Sequence, residues 1–245
     1  MAQSDGMSVR EDSEYRRLQQ IADDSWYASG PMPTSLRYLA GVFARHFNGA
    51  RCLELGPAEG LMTGELARAF AQLTVVEGSA SFCADLAERF PDATVVNSLF
   101  EDFAPTDQFD TVVLGHVLEH VEDPVHVLRL VRGWTAPGGV ALAAVPNSHS
   151  LHRQAAVLMG TLATEDALNE TDRHNGHRRV YDLTRLRADF DAAGWTIEQA
   201  GGYWIKPLSN AQIDEQWTQD MLDAYMVLGE QYPDIAAEIY VVARP

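Results

Sequence analysis

Leu53-Glu54-Leu55-Gly56-Pro57-Ala58-Glu59-Gly60 is the stretch on which the reading of this 245-residue chain turns. An apolar run from Arg51 leads into it, and a helical stripe of Met62, Leu66, Ala69 and Phe70 follows. A small residue at every second position lets backbone approach a ligand closely, and the next helix points free N–H groups at it. The same turn would also serve as plain strand-to-helix geometry, so a second feature has to decide.

That feature is Glu77, which closes the next apolar run, Leu73 to Val76. It follows Glu54 at about the twenty-residue spacing of an acidic residue that accepts both hydroxyls of a ribose. Turn and carboxylate together suit a dinucleotide or an adenosyl ligand. The dinucleotide fingerprint wants glycine where Ala58 stands and a third glycine just inside the helix, where Leu61 and Met62 stand. Glu59 adds a negative charge that a pyrophosphate would meet. A sulfonium ligand with a zwitterionic tail carries no phosphate and fits better.

Outward from this centre, short apolar runs alternate with helical patterns. Thr94 to Val96, Thr111 to Leu114 and Val140 to Val145 read as strands. Asp123-Pro124 opens a helix with aspartate as N-cap and proline at the first position; Asp182 caps another that Gly194 stops. Strands at about Trp195 to Ala200 and Glu238 to Ala243 flank a helical stretch near Gln212 to Leu228. Such alternation predicts an α/β fold with a mostly parallel sheet covered on both faces. Residues 10–46 read as helical, broken at Gly30-Pro31-Met32-Pro33, with Leu36, Leu39, Ala40 and Phe43 on one face. We expect a helical cap over 1–46, on which Tyr15, Trp26 and Tyr27 are candidate lid aromatics. The ligand-binding domain then spans 47–245, with an acceptor lid inserted at about 147–181.

With these motifs quoted, the chain resembles the class I S-adenosylmethionine-dependent methyltransferases over about Phe43 to Ala243. Leu53 to Gly60 matches the family's first motif with Ala58 as a departure, and Val75-Val76-Glu77 its ribose-binding strand end. Phe109-Asp110-Thr111-Val112-Val113, Leu118-Glu119-His120-Val121, Ala136-Pro137-Gly138-Gly139 and Val145-Pro146-Asn147 follow in the family's order. The likeness is nearest to the branch with ubiquinone-biosynthesis O-methyltransferases and natural-product tailoring enzymes. It implies a Rossmann-like seven-stranded sheet in which only the last strand is antiparallel. It implies S-adenosylmethionine as cofactor, S-adenosylhomocysteine as product, and roles by position. Glu54, Gly56, Pro57, Ala58 and Gly60 would lie along the methionine part, and Glu77 with Gly78 at the ribose. Ser98 replaces an aspartate common near the adenine amine, Leu99 and Phe100 would supply an amide and an apolar wall, and His116 would sit near the sulfonium.

Methyl transfer from a sulfonium is an in-line displacement, so the enzyme aligns the nucleophile, excludes water and, for a hydroxyl, removes a proton. Four of the eight histidines fall within 147–181, at the ligand-binding edge of the sheet. We take His177 as the candidate base and His149 as the next, with His152, Arg153, His174, Arg178 and Tyr181 as acceptor-binding residues. Glu119 and His120 invite a metal reading. Neighbours on a helix, however, point about 100° apart, so no metal is expected.

A net charge of −17 disfavours a nucleic-acid partner, because a polyanion is repelled at long range. At 46% hydrophobic residues the chain can fill a core, and Cys52 and Cys83 read as core thiols. No apolar run approaches the roughly 20 residues needed to cross a bilayer, and Met1 to Asp24 lacks a secretory apolar run. A cytoplasmic enzyme with no membrane partner is expected, acting on a small-molecule acceptor by O-methylation; a homo-oligomer stays open. N-methylation of a small amine is the alternative within the class. A catalytically silent S-adenosylmethionine-binding protein and a nicotinamide-dependent oxidoreductase are the alternatives outside it.

Overall fold

The computed structural model describes residues 9–25 and 28–245; Trp26 and Tyr27, two of the candidate lid aromatics, lie outside them. Two helices lead in, α1 (Val9–Asp23) and α2 (Met32–Ala44). Strand and helix then alternate as β1 (Arg51–Leu55), α3 (Leu61–Ala69), β2 (Gln72–Glu77), α4 (Ala80–Arg89), β3 (Thr94–Asn97), β4 (Phe109–Gly115), α5 (Pro124–Trp134) and β5 (Thr135–Pro146). The insertion holds α6 (Leu151–Leu158) and α7 (Glu170–His174). After it come α8 (Leu183–Ala192), β6 (Thr196–Tyr203), α9 (Asn210–Gln216), α10 (Gln219–Gln231) and β7 (Glu238–Arg244). The stretch read as one helix near 212–228 is two, because Trp217 is extended and Thr218 caps the second.

The strands form one sheet in the order β3-β2-β1-β4-β5-β7-β6. Pairings from β3 through β5 are parallel, and β7 runs antiparallel to both β5 and β6. The strand order reverses between β1 and β4, which opens a crevice beyond their carboxyl ends. Asp123 and Asp182 cap as expected, accepting from His126 N at 2.9 Å and Arg185 N at 2.7 Å.

Alternate residues of the central strands feed two cores. Leu53, Leu55, Val112 and Leu114 pack with Val127 and Val131 of α5 and with Leu186 and Phe190 of α8. Cys52, Val75, Val113 and Leu142 pack on the other face with α2, α3 and Met226 of α10. The stripe Leu36, Leu39, Ala40 and Phe43 is buried there, so α2, expected within the cap, is part of the core and reaches the ligand edge only through Leu36, whereas α1 lies over that edge. Among the described residues no helix is long and apolar enough to cross a membrane.

Gly229 of α10 lies so close to Tyr203 and Trp204 that an added Cβ would collide with their backbone. Backbone cannot yield as a side-chain end can, so Gly229→Ala should cost about 2–3 kcal/mol. The urea midpoint should fall with unchanged slope. Gly133→Ala on α5, where nothing stands within 4 Å, should not lower it.

Candidate active site

Three left-handed residues shape the turn after β1: Gly56 (φ +61°), Ala58 (φ +45°) and Gly60 (φ +74°). A Cβ on Gly60 would stand 2.6 Å from Leu86 Cδ2, so glycine is required by packing as well as by φ. Gly56 N donates to Val76 O at 3.0 Å, tying the turn to β2. At the end of β2, Glu77 is 7% exposed and accepts from Ser79 N at 2.8 Å and Ala58 N at 3.3 Å. Burial pushes its carboxyl above the usual range, against the pull of those amides.

Glu54 is 2% exposed and accepts from Thr63 Oγ1 at 2.7 Å. Burial pushes it up to about 8, with the Glu77 charge acting in the same direction. Both carboxyls line a cavity of about 1060 Å³ at the crevice. Neither has an ion pair to an arginine or lysine among the described residues; their polar partners are the hydroxyl and amides named above.

Beyond β4, His116 adopts φ +60° and is buried. Its Nδ1 lies 3.4 Å from Glu119 Oε1 and its Nε2 3.7 Å from Glu238 Oε2. Burial alone would lower its basicity, but the two carboxylates raise it. Burial works against Glu119 as well, and the surrounding imidazoles hold it below the usual range. Glu238 goes the other way, raised by burial. His120 Nε2 lies 3.9 Å from Glu119 Oε1, and burial pushes His120 down to about 4.

The cavity gathers Glu54, Gly56, Pro57, Ala58, Glu77, Gly78, Ser98, Leu99, Phe100 and His116; Gly60 sits behind them. Of the acceptor candidates it includes His174 and Arg178. The rest lie elsewhere. Arg153 is buried, bonded to Asp172 at 3.0 Å, to Glu165 O at 2.7 Å and to Ala167 O. His152 is pushed down to about 2 by burial beside Lys206 and Arg153. Tyr181 is fully buried and donates to Asp189 at 2.8 Å. His149 is half exposed, 3.9 Å from Glu165. His177 packs edge-on against His120, ring centres 4.7 Å apart, and lines a second cavity of about 400 Å³ between α1 and α7.

Two elements, expected as a metal candidate and as a lid carrying Tyr15, line the cavity in ways the sequence reading did not indicate. One is His120 itself, which lines the main cavity. The other is α1, whose Glu14, Arg17, Leu18 and Ile21 line it at spacing 0, 3, 4, 7; that helical stripe was the available signal. Glu119 and His120, expected from the sequence as neighbours on a helix, are not so placed. Residues 118–120 form a turn, not a helix, and Glu119, His120 and His177 each bring a donor atom within 4.8 Å of the others.

Residues 30–200 match the methyltransferase-domain family. The chain belongs to that family, among the class I S-adenosylmethionine-dependent methyltransferases. A ubiquinone biosynthesis O-methyltransferase of Methylocella silvestris is 29% identical over 173 residues, covering 58% of this chain and 66% of that protein. One from Xanthomonas euvesicatoria is 26% identical over 220 residues, covering 81% and 86%. Among solved structures, the N-methyltransferase NodS from Bradyrhizobium japonicum, in complex with S-adenosylhomocysteine, superposes with a TM-score of 0.58 at 16% identity. That match covers 96% of this chain and 97% of that one and shows the shared fold.

S-adenosylmethionine is the methyl donor of this family, and the donor set here fits it. Glu77 suits a diol, and Glu54 suits a cationic amino-acid tail. A phosphate would instead face Glu54, Glu59 and Glu77 together. Glu54, neutral at pH 7 in the free protein, is favoured in its ionised form by an ammonium beside it. Binding of S-adenosylhomocysteine should therefore expel a proton, and affinity should rise from pH 6 to pH 8, by at most about tenfold per unit. Calorimetry in buffers of different ionisation heat reads the proton, and Glu54→Gln should flatten the pH dependence.

Proposed function

We propose that the protein O-methylates a small acceptor, with His120 as general base and Glu119 as the carboxylate behind it. The observation that carries this reading is a histidine on the cavity wall, uncharged at neutral pH, backed by a buried ionised carboxylate at 3.9 Å. His177, the base expected from sequence, packs behind His120 with the two rings edge-on.

The cofactor, when bound, supplies an electrophilic methyl on an already activated leaving group. His120, with Nε2 turned toward Glu119, accepts the hydroxyl proton at Nδ1, and Glu119 stabilises the imidazolium formed. A positioned base of this kind is worth about 10²–10⁴-fold. His116 and Val117 close the cavity at the carboxyl end of β4, while Glu14, Arg17 and Arg178 border it under α1. The enclosed volume and the −17 charge support a small molecule over a nucleic acid.

A second reading has its own observation. Glu14, Glu101, Asp102, Glu122 and Asp123 also line the cavity, an acidic wall that suits a cationic amine. An amine requires less base assistance, so one variant separates the two.

His120→Ala should lower kcat by about a hundredfold or more toward a phenolic or other hydroxyl acceptor, with S-adenosylhomocysteine affinity unchanged. A loss of only a few-fold, seen with amine acceptors turning over, would favour N-methylation. In the wild type, kcat/KM for the acceptor, measured at saturating S-adenosylmethionine, should stay flat from pH 8 to about 5.5, because His120 stays unprotonated until near its value of about 4. Dialysis against a chelator should leave turnover intact. Loss restored by a divalent cation would transfer the Glu119–His120–His177 cluster from proton transfer to ion binding.

A further inference from the structure

Glu77 is followed by a bare glycine, and the space a side chain at Gly78 would fill is taken by another part of the chain. A Cβ there would collide with Leu18 Cδ1 of α1 and stand 3.5 Å from Leu99 Cδ2. Leu18, Gly78, Leu99 and Phe100 all line the main cavity. One helical turn before Leu18, the Tyr15 hydroxyl accepts from Leu99 N at 3.2 Å. One residue after it, Gln19 donates to Ser81 Oγ at 2.9 Å and accepts from Ser79 Oγ at 3.3 Å, docking α1 onto the start of α4.

We propose that α1 completes the adenine subsite: Leu18 supplies the apolar wall that Gly78 omits, and Tyr15 occupies the Leu99 amide until the base claims it. The inference rests on the cofactor reading of the same cavity. The ribose is joined directly to the adenine, so a ribose held at Glu77 puts the base among the residues beside Glu77. There, the face over Gly78 is Leu18, and the backbone donor is Leu99 N. That donor has one proton to give. In the free protein it goes to the phenol, so a base that takes it displaces the Tyr15 hydroxyl. Leu18, by contrast, has nothing to give up and gains contact when the slot is filled. The two side chains, three residues apart on one helix face, thus act on affinity in opposite directions.

Three full-length variants test this by calorimetry with S-adenosylhomocysteine. Leu18→Ala should weaken binding by about five- to tenfold through lost apolar contact. Tyr15→Phe should tighten it by about two- to fivefold, because the free state no longer holds the amide. Adding Gly78→Ala to Leu18→Ala restores a methyl in the same space and should recover part of the loss. Gly78→Ala alone, colliding with Leu18, should expose α1 to hydrogen exchange. In the wild type, the amides of α1 should gain protection when S-adenosylhomocysteine is added. Absence of wild-type binding would remove the cofactor reading itself. Wild-type binding with Leu18→Ala within twofold, Tyr15→Phe weakened or unchanged, or no rescue by Gly78→Ala would overturn the α1 proposal alone.

Discussion

The buried carboxylate of Glu77 is the constraint around which the ligand edge is arranged. A carboxyl at 7% exposure loses most of its hydration, a cost offset only where donors converge on it. Two of them are backbone amides from different segments, Ser79 N just beyond β2 and Ala58 N in the turn after β1. Accepting from Ala58 holds the turn in its left-handed path, and Ala58 at φ +45° is a non-glycine residue in a region that costs about 1–2 kcal/mol. The strain persists because the carboxylate, the Gly56–Val76 bond and the packing of Gly60 against Leu86 all fix the same geometry. A ligand that offers hydroxyls satisfies the acceptor capacity those two amides leave open.

On the opposite side of the crevice, arginines of the insertion hold backbone in place. Arg178 Nε donates to His120 O at 2.8 Å, and its own amide donates to Glu119 O at 2.8 Å. Arg179 donates to Leu118 O at 2.8 Å and Glu122 O at 2.9 Å, and also to Val121 O. The turn 117–122 has few internal hydrogen bonds, so its carbonyls need outside donors, and a guanidinium supplies several from one plane. Arg153 does the same for Glu165 O and Ala167 O within the insertion. The guanidinium groups of Arg178 and Arg179 are therefore clamps that hold the turn carrying Glu119 and His120 in place.

What the sequence disclosed and what it hid follow the same division between local and long-range causes. The turn 54–60 and the caps Asp123 and Asp182 are readable because each works on neighbours within a few residues, and Glu77 is readable because its spacing from Glu54 marks the end of the second strand. His177 and His120 are 57 positions apart, and no spacing rule says which ring faces the cavity once they pack edge to face. Tyr181 belongs to a polar segment, yet its ring is fully buried and its hydroxyl is spent on Asp189. The segment expected as a cap divides for a related reason: α2 carries a strong apolar stripe and joins the core, whereas the stripe of α1 mixes Glu14 and Arg17 with Leu18 and Ile21. A mixed stripe signals a helix that covers a cavity instead of filling one. That distinction can be drawn only when the surface opposite it is known.

The electrostatics of the cavity have a consequence for the barrier. Methyl transfer disperses the positive charge of a sulfonium, so ionised carboxylates fixed around the donor would stabilise the ground state more than the transition state. Burial here pushes Glu54 up to about 8 and raises Glu77 and Glu238, weakening their ionised forms. Glu119 is the exception, lowered by its imidazole neighbours despite full burial. It adjoins His120, where positive charge would arise in the proposed O-methyl transfer. The carboxyls are thus graded: in the free cavity burial weakens the ionised forms of Glu54 and Glu77, whereas the imidazoles strengthen that of Glu119. Burial and the imidazole cluster thus act in opposite directions within one buried layer, against charge at Glu54 and Glu77 and in favour of it at Glu119.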